Sequence, residues 1–179
     1  MWFDIVNRFN YEHIFAGEAH SLRELVERAV ASGADLSEAN LMSADLAGAN
    51  LKNAKMTRAY LFGANLAGAI ISDADLSDAK ISKSDLTRAD LRRTNLLSAN
   101  LHRSVLIEAD LTGANLTSVD LIGANLRNAK LISVNLKGAF LTRADLTGAD
   151  LTGAELTRAE TFLTKGLTLQ TWSLESASG

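Results

Sequence analysis

The sequence predicts an all-β solenoid, and three observations carry that expectation. Residues 34–51 read ADLSEANLMSADLAGANL, in which Ala, then Asp or Asn, then Leu returns every fifth residue. The Leu position runs from 36 to 156 without insertion or deletion; Leu fills 22 of these 25 positions and Met56, Ile71 and Ile81 the rest. Two residues before each, Ala fills 20 of 25, with Ser84, Thr94, Ser104, Val119 and Val134 at the others. Self-similarity at a fixed period is the signature of a repeat architecture.

Neither common period explains the spacing. At about 100° per residue, a step of five advances a helix position by roughly 140°, so the Leu side chains would spiral round the whole surface and leave no polar face. Simple strand alternation breaks at every fifth residue. Locally, however, Ala-x-Leu puts both apolar side chains on one side of an extended piece. The remaining two positions are rich in Gly, Ser, Thr, Asn and Arg, which suits a corner. A chain that bends the same way every five residues coils around an apolar axis. Successive coils then satisfy their backbone groups in ladders about 4.8 Å apart.

Repeats such as ADLSE, ANLMS, ADLAG, ANLTS and ADLTG resemble the pentapeptide-repeat family over residues 34–160. The resemblance implies a right-handed quadrilateral β-helix with four repeats per coil, hence about six coils here and a height of roughly 30 Å. It further implies that residues 20 apart stack. Family members include DNA-mimicking proteins that bind type II topoisomerases such as gyrase and confer quinolone resistance.

Residues 1–33 are expected to form an N-terminal cap. Trp2 to Val6 and Tyr11 to Phe15 read as two short strands around Arg8, Phe9 and Asn10. Ser21 and Glu24 have capping-box spacing, Leu22, Leu25, Val26, Ala29 and Val30 form one apolar stripe, and Gly33 is a helix stop. A helix over 22–32 follows, read as a lid on the first coil, with a partner-binding helix as the alternative. At the other end, residues 161–179 read as an irregular C-terminal cap and tail. Thr161 and Gly166 interrupt the Leu register, and Leu167, Leu169, Trp172 and Leu174 restore it in a shifted phase. This segment either closes the coil, with Trp172 as a plug, or dimerises. Ser176 to Gly179 read as a disordered tail.

Composition narrows the function. The absence of Cys excludes disulfides and thiolate metal sites, and His13, His20 and His102 are too dispersed for a metal centre, so no cofactor is expected. Net charge is −3, the N-terminus lacks a secretory h-region, and no stretch approaches a membrane span. A cytoplasmic protein without membrane or nucleic-acid contact is the default. Residues 34–160 carry 15 Asp and Glu against 14 Lys and Arg, a net of −1. Duplex DNA carries one charge per roughly 1.7 Å. The ladder Asp45, Asn65, Asp85, Val105, Asn125 and Asp145 has only three acids, a poor imitation.

Function must then lie on outward positions. One face carries Met42, Tyr60, Phe62, Lys80, Lys83, His102, Arg103, Ile122, Phe140 and Arg143. Aromatic groups beside Lys and Arg suit a recognition surface, and scattered surface variation is the alternative. Ser82, His102 and Asp120 share that face, but a flat wall has no oxyanion hole or water-excluding pocket. Asn95, Asn115 and Asn135 should pair their amides up the stack, and Asp90 should lie over Asp110 at a mild like-charge cost. The expected protein is a non-enzymatic structural or protein-interaction module of unassigned protein partner, able to form a homodimer through an end cap. The alternative is a gyrase-directed DNA mimic, disfavoured by the near-neutral charge.

Overall fold

Each repeat turns a corner for a reason visible in its backbone. The Ala39 N–H donates to the Leu36 carbonyl at 3.1 Å, and Glu38 between them adopts φ 61°. A turn closed from fourth residue to first, with positive φ at its third, is of type II. The same closure and the same positive φ recur up the chain, as at Leu91–Thr94 with Arg93 and Leu121–Ala124 with Gly123. Gly123 meets the demand freely, whereas Arg93 and Arg103 at φ 56° and 55° meet it at about 1–2 kcal/mol each. The corner also explains the Asp or Asn before each Leu. Asp35 Oδ1 accepts from the Ser37 N–H at 2.9 Å, and Asn50, Asp85, Asn100 and Asp110 repeat the bond two residues on. The repeated acid is therefore a turn-forming group.

The computed structural model describes residues 1–167. Parallel bridges join Asp35 to Lys55, Asn40 to Tyr60 and so on at every fifth residue to Asp145 with Lys165. Every step is 20 residues, so four repeats complete one turn and the outer surface divides into four walls. The wall centred on Leu41, Leu61, Ile81, Leu101, Leu121 and Leu141 is hereafter the Leu41 wall. Two repeats further round lies the Leu51 wall, centred on Leu51, Ile71, Leu91, Leu111, Leu131 and Leu151. The residues at the Leu position from 36 to 146 are at most 1% exposed and form one buried cluster. Each contributes roughly 1.5–3 kcal/mol of burial. Where a hydroxyl replaces Ala, it finds a carbonyl: Ser84 Oγ donates to Leu61 at 2.6 Å and Thr94 Oγ1 to Ile71 at 2.9 Å.

The Leu register ends at Leu156, yet backbone pairing continues to Lys165, and Thr164 Oγ1 donates to the Leu141 carbonyl at 2.7 Å. Winding thus outlasts the side-chain signal that announces it. The expected plug at Trp172, the shifted Leu169 and Leu174, and the tail lie outside the described residues.

Before the coils come β1 (Trp2–Val6), β2 (His13–Glu18) and α1 (Leu22–Ala31). β1 falls where expected. The second strand is not Tyr11–Phe15 but begins at His13, because the loop is longer. Asn7 Oδ1 accepts from the Phe9 N–H at 2.8 Å, and Tyr11 at φ 59° donates its N–H to the Asn7 carbonyl. α1 is capped as its sequence indicates, with the Glu24 N–H donating to Ser21 Oγ and the Glu24 carboxylate accepting from the His20 N–H. Its Leu25, Val26 and Ala29 join the same buried cluster as Leu36 and Leu46. Arg23 reaches the Ala47 carbonyl at 3.0 Å, and Glu27 accepts from the Asn50 N–H at 2.9 Å. The hairpin also pairs with the first coil: Arg8 donates its N–H to Glu38, and Asn40 donates its N–H to Val6. That pairing brings the hairpin loop to the foot of the Leu41 wall.

Candidate functional site

Residues immediately before and after each interior Leu point outward, so stacking gathers what the sequence disperses. Asn40, Tyr60, Lys80, Asn100, Asp120, Phe140 and Glu160 form one bridged column. Met42, Phe62, Ser82, His102, Ile122 and Thr142 form the next, and Ser43, Gly63, Lys83, Arg103, Gly123 and Arg143 line the corner. Backbone bonds link these last two columns, such as the Lys83 N–H to the His102 carbonyl at 3.0 Å. All ten candidate residues therefore lie on the Leu41 wall. Met42 and Phe140 are 53% and 38% exposed, Lys83, Arg103 and Arg143 are exposed, and the others are half-buried.

They do not form one cluster. At about 4.8 Å per coil, Phe140 stands roughly 19 Å above Tyr60. The dense part is the foot. Tyr60 and Phe62 stack with centroids 6.3 Å apart and planes inclined by 23°, and Lys83 Nζ lies 5.3 Å from the Phe62 centroid. The hairpin supplies residues not anticipated there. The Arg8 guanidinium carbon lies 4.3 Å from the Phe9 centroid and 5.7 Å from that of Tyr60, and Arg58 lies 5.6 Å from Phe9. Arg8, Phe9, Tyr11, Asn40, Met42 and Tyr60 line a groove of about 500 Å³. No period in the sequence says where the hairpin docks, so Arg8 and Phe9 read only as loop residues.

The four walls handle charge differently. On the Leu51 wall, Arg93 pairs with Asp73 at 2.7 Å, Arg92 with Asp90 at 2.7 Å and Lys130 with Asp110 at 3.6 Å. The expected repulsion of Asp90 and Asp110 is thereby offset. The Arg92 guanidinium holds the Asp90 carboxyl below its ordinary range, and Arg93 does so for Asp73. Other walls hold Arg58 with Glu38, Arg88 with Glu108 and Arg127 with Asp145. On the Leu41 wall, none of Lys80, Lys83, Arg103 and Arg143 forms an ion pair among the described residues.

The Ser82, His102 and Asp120 set is adjacent but not wired for catalysis. Ser82 Oγ donates to Asn100 Oδ1, which also accepts from the His102 N–H at 3.0 Å. Asp120 Oδ1 accepts from the Ile122 N–H at 3.0 Å as a corner group. Of the expected amide stack, Asn115 donates to Asn95 and Asn95 to Asp75, each at 3.0 Å, while Asn135 Oδ1 serves the Lys137 N–H. Among the described residues no group of three or more His, Asp or Glu suits a metal ion, and no helix is long and apolar enough to cross a membrane.

A family model of pentapeptide repeats matches the chain in 8 copies, over residues 27–58, 59–97, 95–131 and 124–160. No curated protein matches it. Among solved structures, a pentapeptide repeat protein from the Arabidopsis thaliana thylakoid lumen is 33% identical over 49% of this chain, with a TM-score of 0.48. The match spans 61% of that protein's length. HetL, involved in heterocyst differentiation regulation in Nostoc sp. strain PCC 7120, is 30% identical over 72% of this chain and 81% of its own, with a TM-score of 0.35. QnrB1, a plasmid-mediated fluoroquinolone resistance protein, is 21% identical over 74% of this chain and 78% of its own, with a TM-score of 0.53. Together with the repeat match, this last likeness shows the fold to be a right-handed β-helix solenoid.

Proposed function

Because the chain belongs to the pentapeptide-repeat family, we propose that it is a non-enzymatic interaction module that offers the Leu41 wall to a protein partner. Residues 34–160 supply the rigid rod of about six coils, and residues 1–33 act as its lid. One observation carries the reading: among the described residues none of Lys80, Lys83, Arg103 and Arg143 forms an ion pair, and Lys83 lies against the Phe62 ring, whereas the Leu51 wall pairs Arg92, Arg93 and Lys130 with its own acids and leaves only Lys52 unpaired. Aromatic and Arg side chains dominate the energetics of protein interfaces. Capture of partners from lysate tests it, with Tyr60→Ala, Phe62→Ala and Arg103→Ala each compared with the unaltered chain. Loss of a captured protein in at least one variant is expected. Retention by all three removes the wall from consideration.

A gyrase-directed mimic is the competing reading, supported only by the fold shared with QnrB1. Its acids are too few and too well paired with Arg and Lys to reproduce the charge density of a duplex. Unchanged supercoiling by purified gyrase at micromolar protein is the expected result.

A further inference from the structure

We propose that the foot of the Leu41 wall, where the hairpin loop meets the first coils, binds an acidic segment of a partner protein that carries aromatic side chains. The inference rests on the interaction reading above and assigns the partner's chemistry. Arg8 is its centre. The guanidinium carbon lies 4.3 Å from the Phe9 ring centroid and 5.7 Å from that of Tyr60, its Nε is buried without a hydrogen-bond partner, and no carboxylate lies within 4.0 Å of it among the described residues. A half-buried cation with no counter-charge in its own chain favours a ligand that supplies one. Lys83, set against Phe62, and Arg103 one coil higher extend the positive field upward. The wall's own acids, Asp120 and Glu160, lie on later coils.

The complement is therefore negative, and its apolar part must satisfy exposed rings: Phe9 is 56% and Tyr11 71% exposed. A nucleic-acid backbone fits less well, because Arg8, Lys80, Lys83 and Arg103, spread over several coils, fall short of one charge per roughly 1.7 Å. A lipid surface fits less well too. The apolar stripe of α1 packs against the coils, which leaves no free apolar helix face among the described residues.

Fluorescence anisotropy on the full chain tests this with labelled peptides of Glu-Glu-Tyr repeats, Lys-Lys-Tyr repeats and Glu-Glu-Ala repeats. A single-stranded oligonucleotide and phosphatidylglycerol vesicles serve as further probes. The Glu-Glu-Tyr peptide should bind saturably and more tightly than any other probe. Its affinity should fall about tenfold with Arg8→Ala or Lys83→Glu, fall with added salt, and stay unchanged with Lys52→Glu on the Leu51 wall. Lys83 is exposed, so its variant keeps the test valid should Arg8→Ala disturb the hairpin. Equal or tighter binding of the Lys-Lys-Tyr peptide overturns the acidic assignment while leaving the wall an interaction surface. Tighter binding of oligonucleotide or vesicles overturns it in favour of a phosphate ligand. It also falls if no peptide binds at about 1 mM, or if Arg8→Ala and Lys83→Glu leave affinity unchanged.

Discussion

The Leu51 wall and the Leu41 wall share a backbone, a corner and an interior, and they differ in what their cations face. On the first, Arg92, Arg93 and Lys130 meet Asp90, Asp73 and Asp110. On the second, Lys80, Lys83, Arg103 and Arg143 meet aromatic rings or solvent. A stacked solenoid makes such pairing easy, because side chains 20 residues apart lie one coil away. Arg93 reaches back by that interval to Asp73, and Arg88 reaches forward by it to Glu108. Among the described residues the Leu41 wall leaves all four of its cations without such a partner, and the Leu51 wall leaves only Lys52. On the proposed interaction reading, the charge of the Leu41 wall is available to a partner.

The strongest test of the comparison asks whether the walls share one core. Leu91 on the Leu51 wall and Leu101 on the Leu41 wall are both fully buried. Leu91→Ala and Leu101→Ala should each lose about 2–5 kcal/mol in denaturant unfolding, and by similar amounts. A loss confined to one wall would mean that the interior itself differs between faces, and that outer charge is not the main distinction.

Much of this architecture was legible beforehand because a five-residue period leaves so few solutions. Leu36 to Leu156, the Ala positions and the stack of residues 20 apart follow from periodicity and family resemblance. The β2 boundary was less legible, since it depends on one Asn7 side chain organising its loop. The continuation of winding past Leu156 was also hidden, because Thr164 replaces Ala through a single hydroxyl bond to Leu141. The Leu41 wall could be assembled from residue numbers, but its foot could not. Arg8, with Phe9 beside it, reaches Tyr60 through the pairing of Val6 and Arg8 with Asn40 and Glu38. No repeat encodes that contact.

Acid should separate the walls next. On the Leu51 wall the Asp73 carboxyl is held below its usual range by Arg93, Asp90 by Arg92, and Asp150 by the Thr152 hydroxyl and N–H. For Asp110, burial acts upward, but bonds from Thr112 and the Lys130 charge leave it lowered as well. A carboxyl whose folded pKa lies below its unfolded value stabilises the fold above the unfolded value, near pH 4, and loses that contribution as pH falls through the folded one. The melting temperature should therefore hold steady from about pH 7 to 5 and drop by about 5 °C or more by about pH 3. Replacing Asp73 and Asp90 together with Asn should flatten that decline. An unaltered decline in the double variant would place the acid sensitivity on another wall.

The smallest effect is the most discriminating. Arg92 grips Asp90 with two bonds of 2.7 Å, but both groups are substantially solvated. Arg92→Ala should therefore lower the melting temperature by no more than about 3 °C, with the loss shrinking as salt rises. Arg103→Ala should leave the melting temperature unmoved, because Arg103 has no acidic partner among the described residues and its stem lies over the open corner at Gly123. Its effect should appear in partner capture alone. Equal melting losses for the two variants would show that Arg103 is as structural as Arg92. The proposed role requires Arg103 to be dispensable for the fold and needed for partner capture, and the Arg92–Arg103 comparison measures that difference.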